Sequence, residues 1–255
     1  MILVIFGSDS DKEVYDEICK GLGETDYELR IISAHKTPDE LEKMEFDKYD
    51  IIIAGAGLAA HLPGVIASKT IKPVIGVPCR QNYEGLDALL SIVQMPPGVP
   101  VLGVGVNQAK NAASNAIKML KVYKGVNVIG QANIASKAIS FFRDLKVECK
   151  KSETFERGFI NLCLVPLDED VQPREELVVY CPVLMEGDDK AEAAINILRH
   201  SHDGLWVGAN NVENGAIACV EVLNIDGKFT TSLLEYRKKK AEKVKSADKA
   251  VRAGR

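Results

Sequence analysis

The chain has 255 residues, of which 46% are hydrophobic and 27% charged, with a net charge of −4 at neutral pH. This composition suits one large globular domain or two small ones with a full core. It excludes a nucleic-acid or anionic-membrane partner selected by bulk charge, and no apolar run approaches a membrane span. Six cysteines (Cys19, Cys79, Cys149, Cys163, Cys181, Cys219) are scattered without a C-x-x-C pair. They read as thiols of a reducing cytosol, not as a disulfide or metal framework. The opening MILVIFG is too short for a signal sequence, so a cytoplasmic protein is expected.

Ile2 to Phe6 is a continuous apolar strand followed by Gly7-Ser8-Asp9-Ser10-Asp11, and helical periodicity then begins at Val14, Ile18 and Leu22. Hydroxyls and the free N–H groups of a first helical turn can hold a phosphate, and an adjacent aspartate can accept from ribose hydroxyls. Plain helix capping would use only one of these residues. Leu29 to Ile32 is a second strand, running into Ser33-Ala34-His35-Lys36-Thr37-Pro38. Thr37 is expected to cap a helix with Pro38 at its first position and Glu40 at its third.

Asp50 to Gly64 starts with a buried strand, Ile51 to Ile53, and turns abruptly into Ala54, Gly55, Ala56 and Gly57. Small residues there let backbone N–H groups approach a ligand, although a tight turn is the plainer use of glycine. Ala59, Ala60, His61 and Leu62 follow, with Pro63 in the first turn of a helix. Pro73 to Val77 is a fourth strand, Tyr83 to Met95 a helix, Val99 to Val104 a fifth strand and Asn107 to Lys121 an alanine-rich helix. Strand–helix alternation with right-handed crossovers brings the strand ends at Gly7, Ser33 and Gly55 to one edge. The expected fold is α/β, a flavodoxin-like doubly wound parallel sheet.

Taken together, GSDSD, SAHKTP, AGAGLAAHLPG, KPVIGVP and LLSIVQMPPGVPV, in this order, closely resemble one family across about the first 120 residues. It is the aminoimidazole ribonucleotide carboxylase and N5-carboxyaminoimidazole ribonucleotide mutase family of purine biosynthesis. The resemblance implies an octamer of such domains and formation of 4-carboxy-aminoimidazole ribonucleotide without metal, ATP or biotin, hence no cofactor. It also implies that Ser8, Ser10, Ser33 and Lys36 hold the substrate's 5′-phosphate and Asp11 its ribose. By the same resemblance, Ala34, the backbone from Ala54 through Gly55 and Ala56 to Gly57, and Leu62 line the base and carboxylate. His35 would be the general acid/base and His61 part of the carboxylate pocket. An imidazole, with an unperturbed pKa of about 6.5, can give a proton to nitrogen and take one from carbon near neutral pH. Two departures bear on the carboxyl donor. Mutases commonly carry arginine where this chain has Lys36, and glycine where it has Leu58. Direct carboxylases share the lysine, whereas the AAHLPG run is mutase-like. The mutase reading leads, with direct use of carbon dioxide as the alternative.

After Lys124 the chain starts again. Asn127-Val128-Ile129-Gly130 repeats the pattern of Val4-Ile5-Phe6-Gly7, and Leu205 to Leu223 matches Leu102 to Leu120. Gly105, Asn107 and Asn111 are answered there by Gly208, Asn210 and Asn214, and Glu84-Gly85 by Glu186-Gly187. Such self-similarity indicates an internal duplication. The expected organisation is a catalytic domain over residues 1–124, a degenerate repeat over 125–228, and a C-terminal helix and tail over 229–255. In the repeat, Gln131, Asn133 and Ile134 stand for Ser8, Ser10 and Asp11, the intervening span is about 20 residues shorter, and SAHKTP and AGAGLAAHLPG have no counterpart. His200 and His202 read as a surface turn, without a carboxylate at ligand spacing. Two-domain chains would reach an eight-domain assembly as a tetramer, an octamer of chains being the other homo-oligomer considered. Thr231 to Lys245 reads as an amphipathic helix with Leu233, Leu234, Ala241 and Val244 on one side, and Ala247 to Arg255 as a frayed tail. From a different class comes the alternative of a non-catalytic nucleotide-phosphate-binding or scaffold protein. The intact polar turns of the first half argue against it.

Overall fold

Strand patterning sets the architecture. In β1 (Ile2–Phe6) every side chain is buried, with Ile2, Val4 and Phe6 in one core and Leu3 and Ile5 in the other. A strand covered on both faces belongs inside a parallel sheet. The computed structural model, which describes residues 1–166 and 171–254, places it there. β1 pairs in parallel with β2 (Tyr27–Ile31) and β3 (Ile51–Ala56). β4 (Val74–Pro78) and β5 (Leu102–Gly103) continue outward, giving the order β2-β1-β3-β4-β5 of a flavodoxin-like sheet. The connecting helices are α1 (Lys12–Leu22), α2 (Pro38–Glu42), α3 (His61–Lys69) and α4 (Leu86–Val93), and α5 (Ala109–Met119) follows β5.

The remaining strands are β6 (Val126–Ile129), β7 (Cys149–Lys151), β8 (Ile160–Pro166), β9 (Val178–Val183) and β10 (Leu205–Trp206). Their order is β7-β6-β8-β9-β10, the same winding, and an antiparallel pairing of Gly103 with Trp206 joins both sets into one ten-stranded sheet. Helices α6 (Ala132–Asp144), α7 (Lys190–His200) and α8 (Val212–Leu223) take the places of α1, α4 and α5. Among the described residues nothing stands for α2 or α3, which accounts for the shorter span.

The match of Leu102–Leu120 to Leu205–Leu223 holds atom for atom at several points. Asn107 and Asn210 share a left-handed backbone (φ 55° and 59°), and their N–H groups donate to Pro78 and Pro182. Their side-chain oxygens accept from Arg80 N and Leu184 N, each at 2.9 Å. At the seam, Asn111 donates to Gly204 O (2.8 Å), while Asn214 accepts from Gly98 N (2.8 Å) and donates to Pro96 O (3.0 Å). Gly105 and Gly208 are needed there, because a Cβ would lie 2.5 Å from Ser201 O in one case and 2.8 Å from Val93 O in the other. The echo between Asn127–Gly130 and Val4–Gly7, however, is one residue out of step. Val128 faces the same core as Val4, whereas that alignment sets it against Ile5 on the opposite face.

Other boundaries also differ. α4 begins at Leu86, because Tyr83, Glu84 and Gly85 all adopt positive φ (52°, 55° and 84°) and form a turn. Thr37 precedes α2 without capping it; its hydroxyl donates to Ser33 O and accepts from Ser33 N. His200 ends α7, and the ring of His202 in the following turn meets Arg199 O at 3.2 Å.

The last helix, α9 (Thr230–Ala253), runs through the segment expected to fray. Its lysine, glutamate and alanine residues are strong helix formers. Leu233 is buried, but Leu234 and Val244 are 53% and 71% exposed, so the expected apolar side is not the one that packs. Arg237 anchors the helix, donating to Ala67 O (2.7 Å) and to the buried carboxylate of Glu221 (2.9 Å). Burial pushes the Glu221 carboxyl up to about 8 against the pull of Arg237. No helix among the described residues is long and apolar enough to cross a membrane.

Candidate active site

Parallel sheets open a crevice at the carboxyl ends of their strands where the winding reverses. Here that point lies between β1 and β3, and a cavity of about 410 Å³ occupies it. Three strand-to-helix turns build its walls. After β1, the Ser8 hydroxyl accepts from Ser10 N (3.2 Å) and from the Ser10 hydroxyl (2.8 Å), ordering the turn into α1. Asp11, only 8% exposed, sits at the foot of that turn. Burial raises its carboxyl above the usual range, opposed by hydrogen bonds from Cys79, Gln81 and Ser10. It is thus a carboxylate held by donors from two strand ends, with capacity left to accept from a ligand hydroxyl.

After β2, Ser33 to Thr37 close on themselves. The Ser33 hydroxyl accepts from Lys36 N (3.2 Å), and Thr37 N donates to Ser33 O (3.0 Å). This small loop lifts His35 and Lys36 to the rim, where Lys36 makes no ion pair among the described residues. After β3, the chain turns at Leu58, whose φ of 55° is a left-handed value suited to glycine, and enters α3 at His61.

The central contact joins two of these turns. His35 Nε2 and His61 Nδ1 lie 2.8 Å apart, with the rings nearly perpendicular (77°). One nitrogen must donate and the other accept, so the two turns share a proton between their imidazoles. Of the residues singled out from sequence, Ser8, Ser10, Asp11, Ser33, Ala34, His35, Lys36, Ala56, Gly57, His61 and Leu62 line this one cavity. Ala54 and Gly55 do not; they lie inside β3, where a Cβ on Gly55 would fall 2.1 Å from the Phe6 ring. Gln81 is the lining residue that sequence reasoning missed. It follows β4 in a turn with no motif of its own, and its position beside Pro78 and Cys79 was the only available signal.

The first part of the chain is similar to known proteins. A sequence profile described as AIR carboxylase matches residues 1–149. An N5-carboxyaminoimidazole ribonucleotide mutase of Methanocaldococcus jannaschii is 44% identical over 156 residues, covering 60% of this chain and 95% of the relative. One of Pyrococcus abyssi is 53% identical over 126 residues, 47% of this chain and 72% of the relative. A phosphoribosylaminoimidazole carboxylase of Candida glabrata is 46% identical over 130 residues, 48% of this chain and 23% of that longer protein.

Proposed function

Because this chain belongs to the AIR carboxylase family, we propose that its first half is the working enzyme and that the β1–β3 cavity is where it works. The chain is an enzyme of purine biosynthesis that forms 4-carboxy-5-aminoimidazole ribonucleotide by moving the carboxylate of N5-carboxyaminoimidazole ribonucleotide to C4. In the proposed arrangement the substrate phosphate rests on Ser8, Ser10, Ser33 and Lys36 at the start of α1. Asp11 takes the ribose hydroxyls. The base and carboxylate lie against Ala34, Ala56, Gly57 and Leu62, with His61 at the carboxylate end.

The reaction needs one proton in two places. Breaking the N5–carboxyl bond returns an electron pair to nitrogen, which takes a proton from His35, and carbon dioxide stays in the cavity. C4 then attacks that carbon dioxide, and His35 removes the C4 proton, restoring its starting state. The His35–His61 hydrogen bond carries this reading, because it holds the acid/base group in one orientation through both transfers. The small residues Ala34, Ala56 and Gly57 let the planar ring and carboxylate lie close against the backbone.

The direct test is His35→Asn, which keeps a hydrogen-bonding side chain but cannot relay a proton. Turnover is expected to fall by about 10²- to 10⁴-fold, with binding of the phosphate end retained. Turnover within a few-fold of the unmodified chain would reject the assignment. The enzyme is further proposed to be cytoplasmic and to assemble as a tetramer of two-domain chains. A chromatographic mass of a single chain would contradict that assembly.

A further inference from the structure

A fourth strand end borders the candidate active site. β4 lies beside β3, with Ala56 opposite Pro78, and Cys79 N extends that ladder to Ala56 O (2.9 Å). From the other side Asn107 grips the same turn, donating its N–H to Pro78 O and accepting from Arg80 N, both at 2.9 Å. The chain is thus held at Pro78, Cys79 and Arg80, and the next residue, Gln81, lines the cavity.

Two contacts define what Gln81 does there. Its stem crosses Gly57, where a Cβ would stand 2.7 Å from Gln81 Cγ and 3.2 Å from Cys79 O. Its amide end bonds the carboxylate of Asp11, alongside the Cys79 thiol and the Ser10 hydroxyl. An ionised carboxylate only accepts, so the amide N–H of Gln81 is the donor. Burial and the neighbouring charge of Asp11 push the Cys79 thiol well up, so it too stays protonated. Its single S–H also lies within reach of Val77 O (3.7 Å), which leaves the Gln81 amide as the steadier donor from this strand end.

Asp11 needs such donors. It is buried, and burial favours the neutral acid, which would turn one acceptor oxygen into a donor. Among the other titratable groups around it, Asp9 on the same turn disfavours its charge. His35, Lys36 and His61 line the cavity from the two remaining turns.

The second half supplies an internal comparison. Leu184 N donates to Asn210 as Arg80 N donates to Asn107, which sets Cys79 against Val183 and Gln81 against Met185. The turn that matches the one holding Asp11, Gln131 to Ala135, has no acidic residue. The acid and both donors of this strand end are therefore missing together, as befits groups that serve one another.

We propose that Gln81 is a positioning residue for Asp11, its amide holding that carboxylate ionised and turned toward the ribose of the substrate. This rests on the reading in which Asp11 takes the ribose hydroxyls.

The test is Gln81→Met, which keeps the stem over Gly57, removes the amide and copies the second half. Binding of aminoimidazole ribonucleotide to the full chain is measured by calorimetry without bicarbonate, so that no turnover occurs. Loss of one hydrogen bond to a charged group is expected to weaken binding about tenfold. Asp11 in the variant holds its proton to higher pH, so the ratio of the two dissociation constants should grow from mildly alkaline to mildly acid pH. Titration of the histidines and of the phosphate is common to both proteins and cancels in that ratio. In an Asp11→Ala background the same change should add less than about twofold. Unchanged binding by Gln81→Met, while Asp11→Ala weakens it, would overturn the proposal and leave the ribose reading standing. A loss equal with and without Asp11, or constant across pH, would also overturn it and make Gln81 a packing residue. Unchanged binding by Asp11→Ala would overturn the ribose reading and the proposal with it.

Discussion

The two halves of the sheet share a winding and a seam but differ in how their strand ends are furnished. In the first half, each of three strands delivers polar side chains to the crevice through a turn that leads into a helix. The second half keeps the turn into α6 and the helices α7 and α8 but, among its described residues, lacks the two helices that follow Ser33–Thr37 and Ala56–Ala60 in the first. Of the matched features, Asn111 with Asn214 and Gly105 with Gly208 join the halves, whereas Asn107 and Asn210 each tie a strand end within their own half. The features lost are those that place His35 and His61. The seam and the proposed site use different strand ends, so the packing that joins the halves does not depend on the residues that place His35 and His61.

The largest effect that separates the halves is on substrate binding. Ser8→Ala with Ser10→Ala removes the two hydroxyls proposed to hold the substrate phosphate, about 1.5–3 kcal/mol each for a contact to a charged group, and KM should rise at least a hundredfold. Gln131→Ala with Asn133→Ala, at the matched turn, should leave KM within twofold. Equal effects in steady-state assays would erase the distinction.

Next come the paired seam asparagines. Asn214→Leu strands Gly98 N and takes one of two donors from each of the carbonyls of Met95 and Pro96, which keep Asn211 Nδ2 and Val99 N, and should cost about 3 kcal/mol. Asn111→Leu strands Gly204 O and should cost about 1 kcal/mol. Denaturant unfolding of both variants measures the difference, and the reverse order would show that the seam is held from the other side.

A smaller effect depends on pH. Glu221 binds its proton more tightly folded (about 8) than unfolded (4.5), so its contribution favours the folded state below pH 4.5 and is lost as pH rises through 8. Glu221→Gln should flatten the fall in stability across that window. An unchanged slope would place the pH dependence elsewhere.

The smallest effect lies at Leu58. Its left-handed backbone costs a non-glycine residue about 1–2 kcal/mol, part of which glycine's greater chain entropy offsets. Leu58→Gly should raise the melting temperature slightly, and a fall would mean that the side chain packs usefully on the cavity rim.

Much of the fold was legible because buried parallel strands leave a plain mark. Ile2–Phe6 reads as a strand from composition alone, and the polar residues beyond β1, β2 and β3 follow from it. The rest was hidden for physical reasons. β5 is a two-residue ladder in a longer apolar stretch that contains Pro100, which lacks an N–H to pair, and β10 is equally short. Neither carries a period that could announce their antiparallel meeting. The start of α4 was obscured because Tyr83 and Glu84 adopt a backbone that their side chains do not advertise. The His35–His61 contact joins residues 26 positions apart, and only the sheet order brings them together. Gln81 had no motif to betray it.

The account rests on carboxylate migration in the first half, and one assay bears on it most directly. The purified chain is given N5-carboxyaminoimidazole ribonucleotide without bicarbonate and, in a separate reaction, aminoimidazole ribonucleotide with bicarbonate and carbonic anhydrase. The account predicts rapid formation of 4-carboxy-5-aminoimidazole ribonucleotide in the first and little in the second. Efficient turnover only in the second would contradict it, making the chain a direct carboxylase and Lys36 and Leu58 the residues that set its donor.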